Sequence, residues 1–158
     1  MKYYLFIITV FVSSISIAQN QVDFGVKGGV NATFFKVTEA NFGEDPETDF
    51  GFFGGVFVDF KIDKGFHFQP EILYKGINDF KFLNAPMYLK YDVDNNFHLL
   101  LGPSLNYFFD FFTNKFKVRA DVSLEYDLFS RLNINIKYAL GFEELSPNIL
   151  FFGVGYKL

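Results

Sequence analysis

The chain of 158 residues has no cysteine, no tryptophan, only two histidines and five prolines. Without cysteine there is no disulfide scaffold, no thiolate-ligated zinc, no iron–sulfur centre and no lipid-modified N-terminal Cys. Positive charge is also short, 14 Lys and Arg against 18 Asp and Glu for a net −4, the wrong balance for a nucleic-acid face. After Gln19 the longest stretch free of polar side chains is Phe50 to Val58, nine residues. A helix needs about 20 apolar residues to cross a bilayer. What the chain does hold is 25 Phe and 9 Tyr beside 20% charged residues. Phe at that density either fills a core or faces lipid.

The N-terminus reads as an export signal. Lys2 supplies the positive charge, Tyr3 to Val12 an apolar stretch, and Ser16-Ile17-Ala18 a small-residue cleavage site. The predicted organisation is a signal peptide over 1–18 and one β-domain over 19–158.

In the mature chain apolar and polar residues alternate, the period of strands. Phe116, Val118, Ala120, Val122, Leu124 and Tyr126 share one face; Lys117, Arg119, Asp121, Ser123 and Glu125 share the other. The same pattern predicts eight strands: Val22–Phe34, Phe50–Ile62, Phe66–Lys75, Lys81–Val93, Phe97–Phe109, Phe116–Leu128, Leu132–Gly141 and Ile149–Leu158. Asp63-Lys64-Gly65, Asp94-Asn95-Asn96 and Ser130-Arg131 mark short turns. The other four connections read as longer or more polar, as in outer-membrane barrels.

The apolar faces decide between a sandwich and a membrane barrel. From Leu83 to Tyr91, and along the matching apolar faces of the other predicted strands, no charge falls, and a Lys or Arg at mid-membrane would cost roughly 2–4 kcal/mol. The predicted fold class is therefore all-β, an eight-stranded antiparallel up-and-down transmembrane β-barrel behind a cleavable signal peptide. The polar face becomes the lumen, and an eight-stranded barrel is narrow enough for side chains to fill. The predicted lumen charge network is Lys27, Asp59, Glu71, Lys90, Arg119, Asp121, Glu125 and Lys137, with Arg119 expected to pair Asp121 or Glu125. Phe53, Phe57, Leu73, Leu100, Phe108 and Phe151 add inward bulk. Outward Tyr74, Tyr91, Tyr107, Tyr126, Tyr138 and Tyr156 near strand ends predict two aromatic girdles. Pro70, Pro86 and Pro103 sit inside predicted strands and each calls for a bulge or a local break.

These segments also carry a resemblance. Phe24-Gly25-Val26-Lys27-Gly28-Gly29-Val30-Asn31, Gln69-Pro70-Glu71 with Tyr74, Pro86 ahead of Leu89-Lys90-Tyr91, and Gly153-Val154-Gly155-Tyr156 resemble the small PorT-like outer-membrane barrels of Bacteroidota. The resemblance implies an eight-stranded barrel in the bacterial outer membrane with both termini periplasmic. Some relatives serve type IX secretion and gliding, and most are assigned no chemistry. The loops here look shorter than in secretion-linked members.

Candidate chemistry is sparse. His67 and His98 each open a strand just after a short turn, a place for rim or lumen hydrogen bonding. No third ligand spacing points to a metal, and no cofactor motif is present. Glu39, Glu44, Asp45, Glu47 and Asp49 form an acidic first loop, a candidate contact for a partner or, through divalent cations, for lipopolysaccharide phosphates. The expected partners are outer-membrane lipid and lipopolysaccharide, with other outer-membrane proteins in a complex and no nucleic acid. The expected role is a non-enzymatic structural or accessory subunit of an assembly, secretion or uptake complex. The alternatives are a lipid-A-modifying barrel enzyme and a narrow channel.

Overall fold

Strict alternation suits only a chain whose two faces meet different surroundings, and it produces strands here throughout. The computed structural model describes residues 22–34, 48–77, 80–109, 115–141 and 148–158. The proposed signal peptide and Glu39, Glu44, Asp45 and Glu47 lie outside the described residues. The strands are β1 (Val22–Phe34), β2 (Thr48–Asp63), β3 (Phe66–Ile77), β4 (Phe80–Asp92), β5 (Phe97–Phe108), β6 (Phe116–Asp127), β7 (Leu132–Gly141) and β8 (Asn148–Lys157). Each runs antiparallel to the next, and β8 returns to β1 to close the barrel. Closure leaves no strand edge with unpaired backbone groups, the condition for a sheet to sit in lipid.

The connections at the end carrying both termini are tight. At Gly65 the chain turns with φ 78°, a left-handed conformation that favours glycine, and the Asp63 carboxylate accepts from the Lys64 N–H at 2.7 Å. Asp94 caps its own turn in the same way through the Asn95 N–H. The third turn is closed by the Leu128 N–H donating to the Leu132 carbonyl at 2.9 Å. At the far end the connections are unequal. Thirteen residues separate β1 from β2, but only Asn78 and Asp79 separate β3 from β4. The expected rule of short turns at one end and longer loops at the other therefore fails at that hairpin. Asp49, expected in the first loop, lies in the backbone of β2 opposite Thr33.

The prolines produce breaks and not bulges. On either side of Pro70, Phe57 pairs Glu71 and Phe60 pairs Phe68, equal spacing on both strands, so no residue is inserted. Around Pro86, Pro70 pairs Met87 and Leu73 pairs Asn84; around Pro103, Pro86 pairs Ser104 and Leu89 pairs Leu101. Each ladder omits two pairs and resumes in the same register, because a missing N–H removes a bond without lengthening the chain. The three gaps fall side by side across β2–β5. A side chain at Gly102 would collide there with the Met87 carbonyl, so the backbones need a bare residue to approach. The single register shift reported in β2–β3 is at Lys61 and Asp63, beside the turn.

Candidate functional site: a filled lumen and an apolar wall

Inward side chains fill the barrel in three tiers. The central tier is ionic. Lys27 on β1 donates to Glu71 on β3 and to Glu125 on β6, crossing the lumen. Gln69 donates to Glu71 Oε1 at 2.9 Å, and Lys90 on β4 reaches Asp59 Oδ2 at 3.1 Å, Gln69 Oε1 at 3.3 Å and Glu125 Oε2 at 3.4 Å. Lys137 on β7 lies 3.4 Å from Asp121 Oδ2 and donates to Asn84 Oδ1 at 3.0 Å. Asp121 also accepts from Ser104 at 2.7 Å and from the Tyr88 hydroxyl at 3.4 Å. Seven strands are thus tied through one network. β8 supplies no charge to it; there Gly153 and Gly155 are bare, and the Phe53 ring and the Asn133 amide occupy the space. Buried charges are tolerable only when paired and hydrogen-bonded, and these carboxylates are.

The tier at the termini end is a chain of alternating imidazoles and carboxylates. Asp59 meets His67 Nδ1 at 2.7 Å, His67 Nε2 meets Asp92 at 3.1 Å, Asp92 meets His98 Nδ1 at 2.7 Å, and His98 Nε2 meets Asp127 at 3.3 Å. Lys157 on β8 completes it, 3.6 Å from Asp127. All four ring nitrogens are engaged, and among the described residues no three His, Asp or Glu side chains are placed so that they could hold a metal ion together.

The far-end tier is apolar. Phe53, Phe82, Phe108 and Phe151 pack with Leu73, Ala139 and Ile149. Phe82 stacks on Phe108 with centroids 4.6 Å apart, and Phe53 meets Phe151 edge-on at 5.5 Å. Lys75 is embedded among them, its Nζ 3.2 Å from the Phe151 centroid and 5.2 Å from that of Phe82. It is fully buried and has no hydrogen-bond acceptor among the described residues. Lys27, Lys90 and Lys137 each lie against a buried carboxylate, and Lys75 does not among the described residues. Between the ionic and apolar tiers, Lys27, Ser123, Asn135, Lys137 and Phe151 enclose a cavity of about 10 Å³, room for roughly one water.

Outside, the wall is the inverse. Phe52, Ile72, Val118 and Phe152 are 75%, 60%, 57% and 56% exposed, in line with the outward residues of every other strand. An apolar surface that runs round the whole barrel is far larger than the patch a water-soluble monomer exposes. A family model described as outer membrane protein beta-barrel domain matches residues 17–78. Ail of Yersinia pestis superposes with a TM-score of 0.57 at 14% identity, over 87% of this chain and 99% of that one. Neisserial surface protein A gives 0.54 at 16% identity, over 85% and 97%. A designed transmembrane β-barrel gives 0.55 at 15%, over 87% and 93%. The chain has the fold of the small outer-membrane β-barrels. No curated protein matches its sequence.

Within this outer-membrane barrel fold, the eight residues of the predicted charge network all lie in the lumen, each no more than 6% exposed. The Arg119 guanidinium stands 5.5 Å over the Phe108 ring, while Lys137 lies against Asp121 and both Lys27 and Lys90 lie against Glu125. Asp23 and Lys61, at the inward parity of β1 and β2, are exposed at the rim. The loop residues Glu39, Glu44, Asp45 and Glu47 are not placed, and the Asp49 side chain is not described. Sequence reasoning left out Gln69, Asn84, Tyr88 and Ser104, neutral groups that complete the network; their inward parity was the available signal.

Proposed function

We propose that the protein is a non-enzymatic structural or accessory component of the bacterial outer membrane, with both termini periplasmic. It works as one subunit of a larger envelope machine for assembly, secretion or uptake. The observation that carries this reading is the filled lumen. Among the described residues, ion pairs cross the middle and phenylalanines pack toward one end, and the cavity between them holds about one water. Whatever the barrel engages therefore meets its outer wall or its connections. The N-terminal export pattern and the apolar wall support the membrane location. The resemblance to PorT-like barrels of Bacteroidota supports the choice of an accessory role over a catalytic one. Ser104, the buried hydroxyl best placed inside, gives its proton to a carboxylate and not to an imidazole.

Affinity isolation of the tagged barrel from native membranes, followed by mass spectrometry, tests the role. Reproducible recovery of other outer-membrane proteins in fixed proportion supports it. Recovery of the lone barrel counts against it.

A further inference from the structure

Away from the turns at the termini end, the outward register positions of the described strands hold a single charged residue, Lys81 on β4. Its surroundings form a recess at the far rim. Its register partner on β3 is Gly76, and its own carbonyl accepts from the Phe109 N–H at 3.2 Å. Lys81 thus stands between a bare position and an aromatic one. A Cβ at Gly76 would meet only the Tyr74 ring, at 3.7 Å, so the space beside Lys81 is open. Tyr74 and Phe109 lean toward each other across β4 with centroids 6.3 Å apart. Tyr107 meets Phe109 at 5.5 Å and Phe116 at 4.9 Å, extending the platform to β6. Lys81 is exposed and makes no ion pair among the described residues.

We propose that this recess binds the phosphorylated headgroup of an outer-leaflet glycolipid, with the phosphate on Lys81 and a sugar face against the aromatic platform. A cation on a lipid-facing wall is tolerated only at the interface, where lipid phosphates lie. A platform running from β3 to β6 offers more aromatic face than a small glycerol headgroup can cover. The inference rests on reading the far end as the outer side of the membrane.

The full-length barrel in non-ionic detergent is titrated with phosphorylated lipid A, with the same lipid A dephosphorylated, and with phosphatidylglycerol. Bound lipid is read by native mass spectrometry, and folding by the heat-dependent gel shift. Preference for phosphorylated lipid A is expected, falling about fivefold in Lys81→Gln, the worth of one interfacial lysine. Gly76→Leu, which keeps the charge and fills the recess, should also weaken binding. Unchanged affinity in either variant, or equal uptake of the dephosphorylated lipid or of phosphatidylglycerol, overturns the site. Separation of inner and outer membranes tests the location reading independently, since the titration uses purified protein.

Discussion

Replacing Lys27 with methionine removes a cation that binds carboxylates on both sides of the lumen. Glu71 keeps Gln69 at 2.9 Å and Lys137 at 3.9 Å; Glu125 keeps Lys90 at 3.4 Å. Each carboxylate therefore loses its nearest cation, and the two face each other with only weaker contacts. Breaking a buried pair from one side costs about 3–5 kcal/mol, and the remaining contacts place Lys27→Met near the lower figure, about 3 kcal/mol. That is a large share of a stability of about 5–15 kcal/mol. Glu125→Gln alone should cost less, about 1–3 kcal/mol, because Lys27 keeps Glu71 and Lys90 keeps Asp59. The double variant restores the charge balance, so its loss should fall short of the sum by about 1–3 kcal/mol. The assay is urea unfolding in phospholipid vesicles followed by far-UV circular dichroism, since the chain has no tryptophan to report. Additive losses, or a Lys27→Met barrel as stable as the wild type, would refute the account of the network as mutually compensated charge.

The same substitution at the unpaired lysine should behave oppositely. Lys75→Met keeps the volume and removes a buried cation without an acceptor, so the unfolding midpoint in vesicles should hold or rise; a fall as large as that of Lys27→Met would show that Lys75 has a partner. Leu101→Arg, on the outward face near the middle of β5, should cost about 2–4 kcal/mol in bilayers. Phe129→Arg, at an exposed turn, should cost little by the same unfolding measurement, and equal losses would contradict the lipid-facing wall. Gly153→Val places a Cβ 2.5 Å from the Phe53 ring and 2.9 Å from the Gly28 carbonyl. It should destabilise by about 1–3 kcal/mol, with relief from Phe53→Leu in the double variant.

Strand limits were legible because burial alternates with the sequence. β1 and β7 match their predicted ranges, and Arg119 and Glu125 point inward as their parity requires. Parity assigns a face but not a height. Strand tilt and stagger decide which inward groups meet, so Lys27 reaching from β1 to Glu125 on β6 is not written in either strand. Of the two outcomes expected at the prolines the structure shows the break, since a lost N–H is absorbed as a gap without an inserted residue. Lys75 shares the inward parity of the lumen charges, and only its tier, among phenylalanines, sets it apart. Lys81 was read as the polar start of a strand, and its place beside bare Gly76 depends on register.

The central claim is that alternate residues face lipid and a closed, filled lumen. A chain without cysteine admits single-Cys scanning directly, and β6 offers the sharpest contrast. With nitroxide labels in vesicles, Val118, Ala120, Val122 and Leu124 are predicted to be reached by oxygen dissolved in lipid. Arg119, Asp121, Ser123 and Glu125, labelled as cysteines with a small thiol reagent, are predicted to stay closed to water-soluble probes in the folded barrel. Aqueous access at the odd positions would reveal an open pore, and a loss of the two-residue period would contradict the barrel itself.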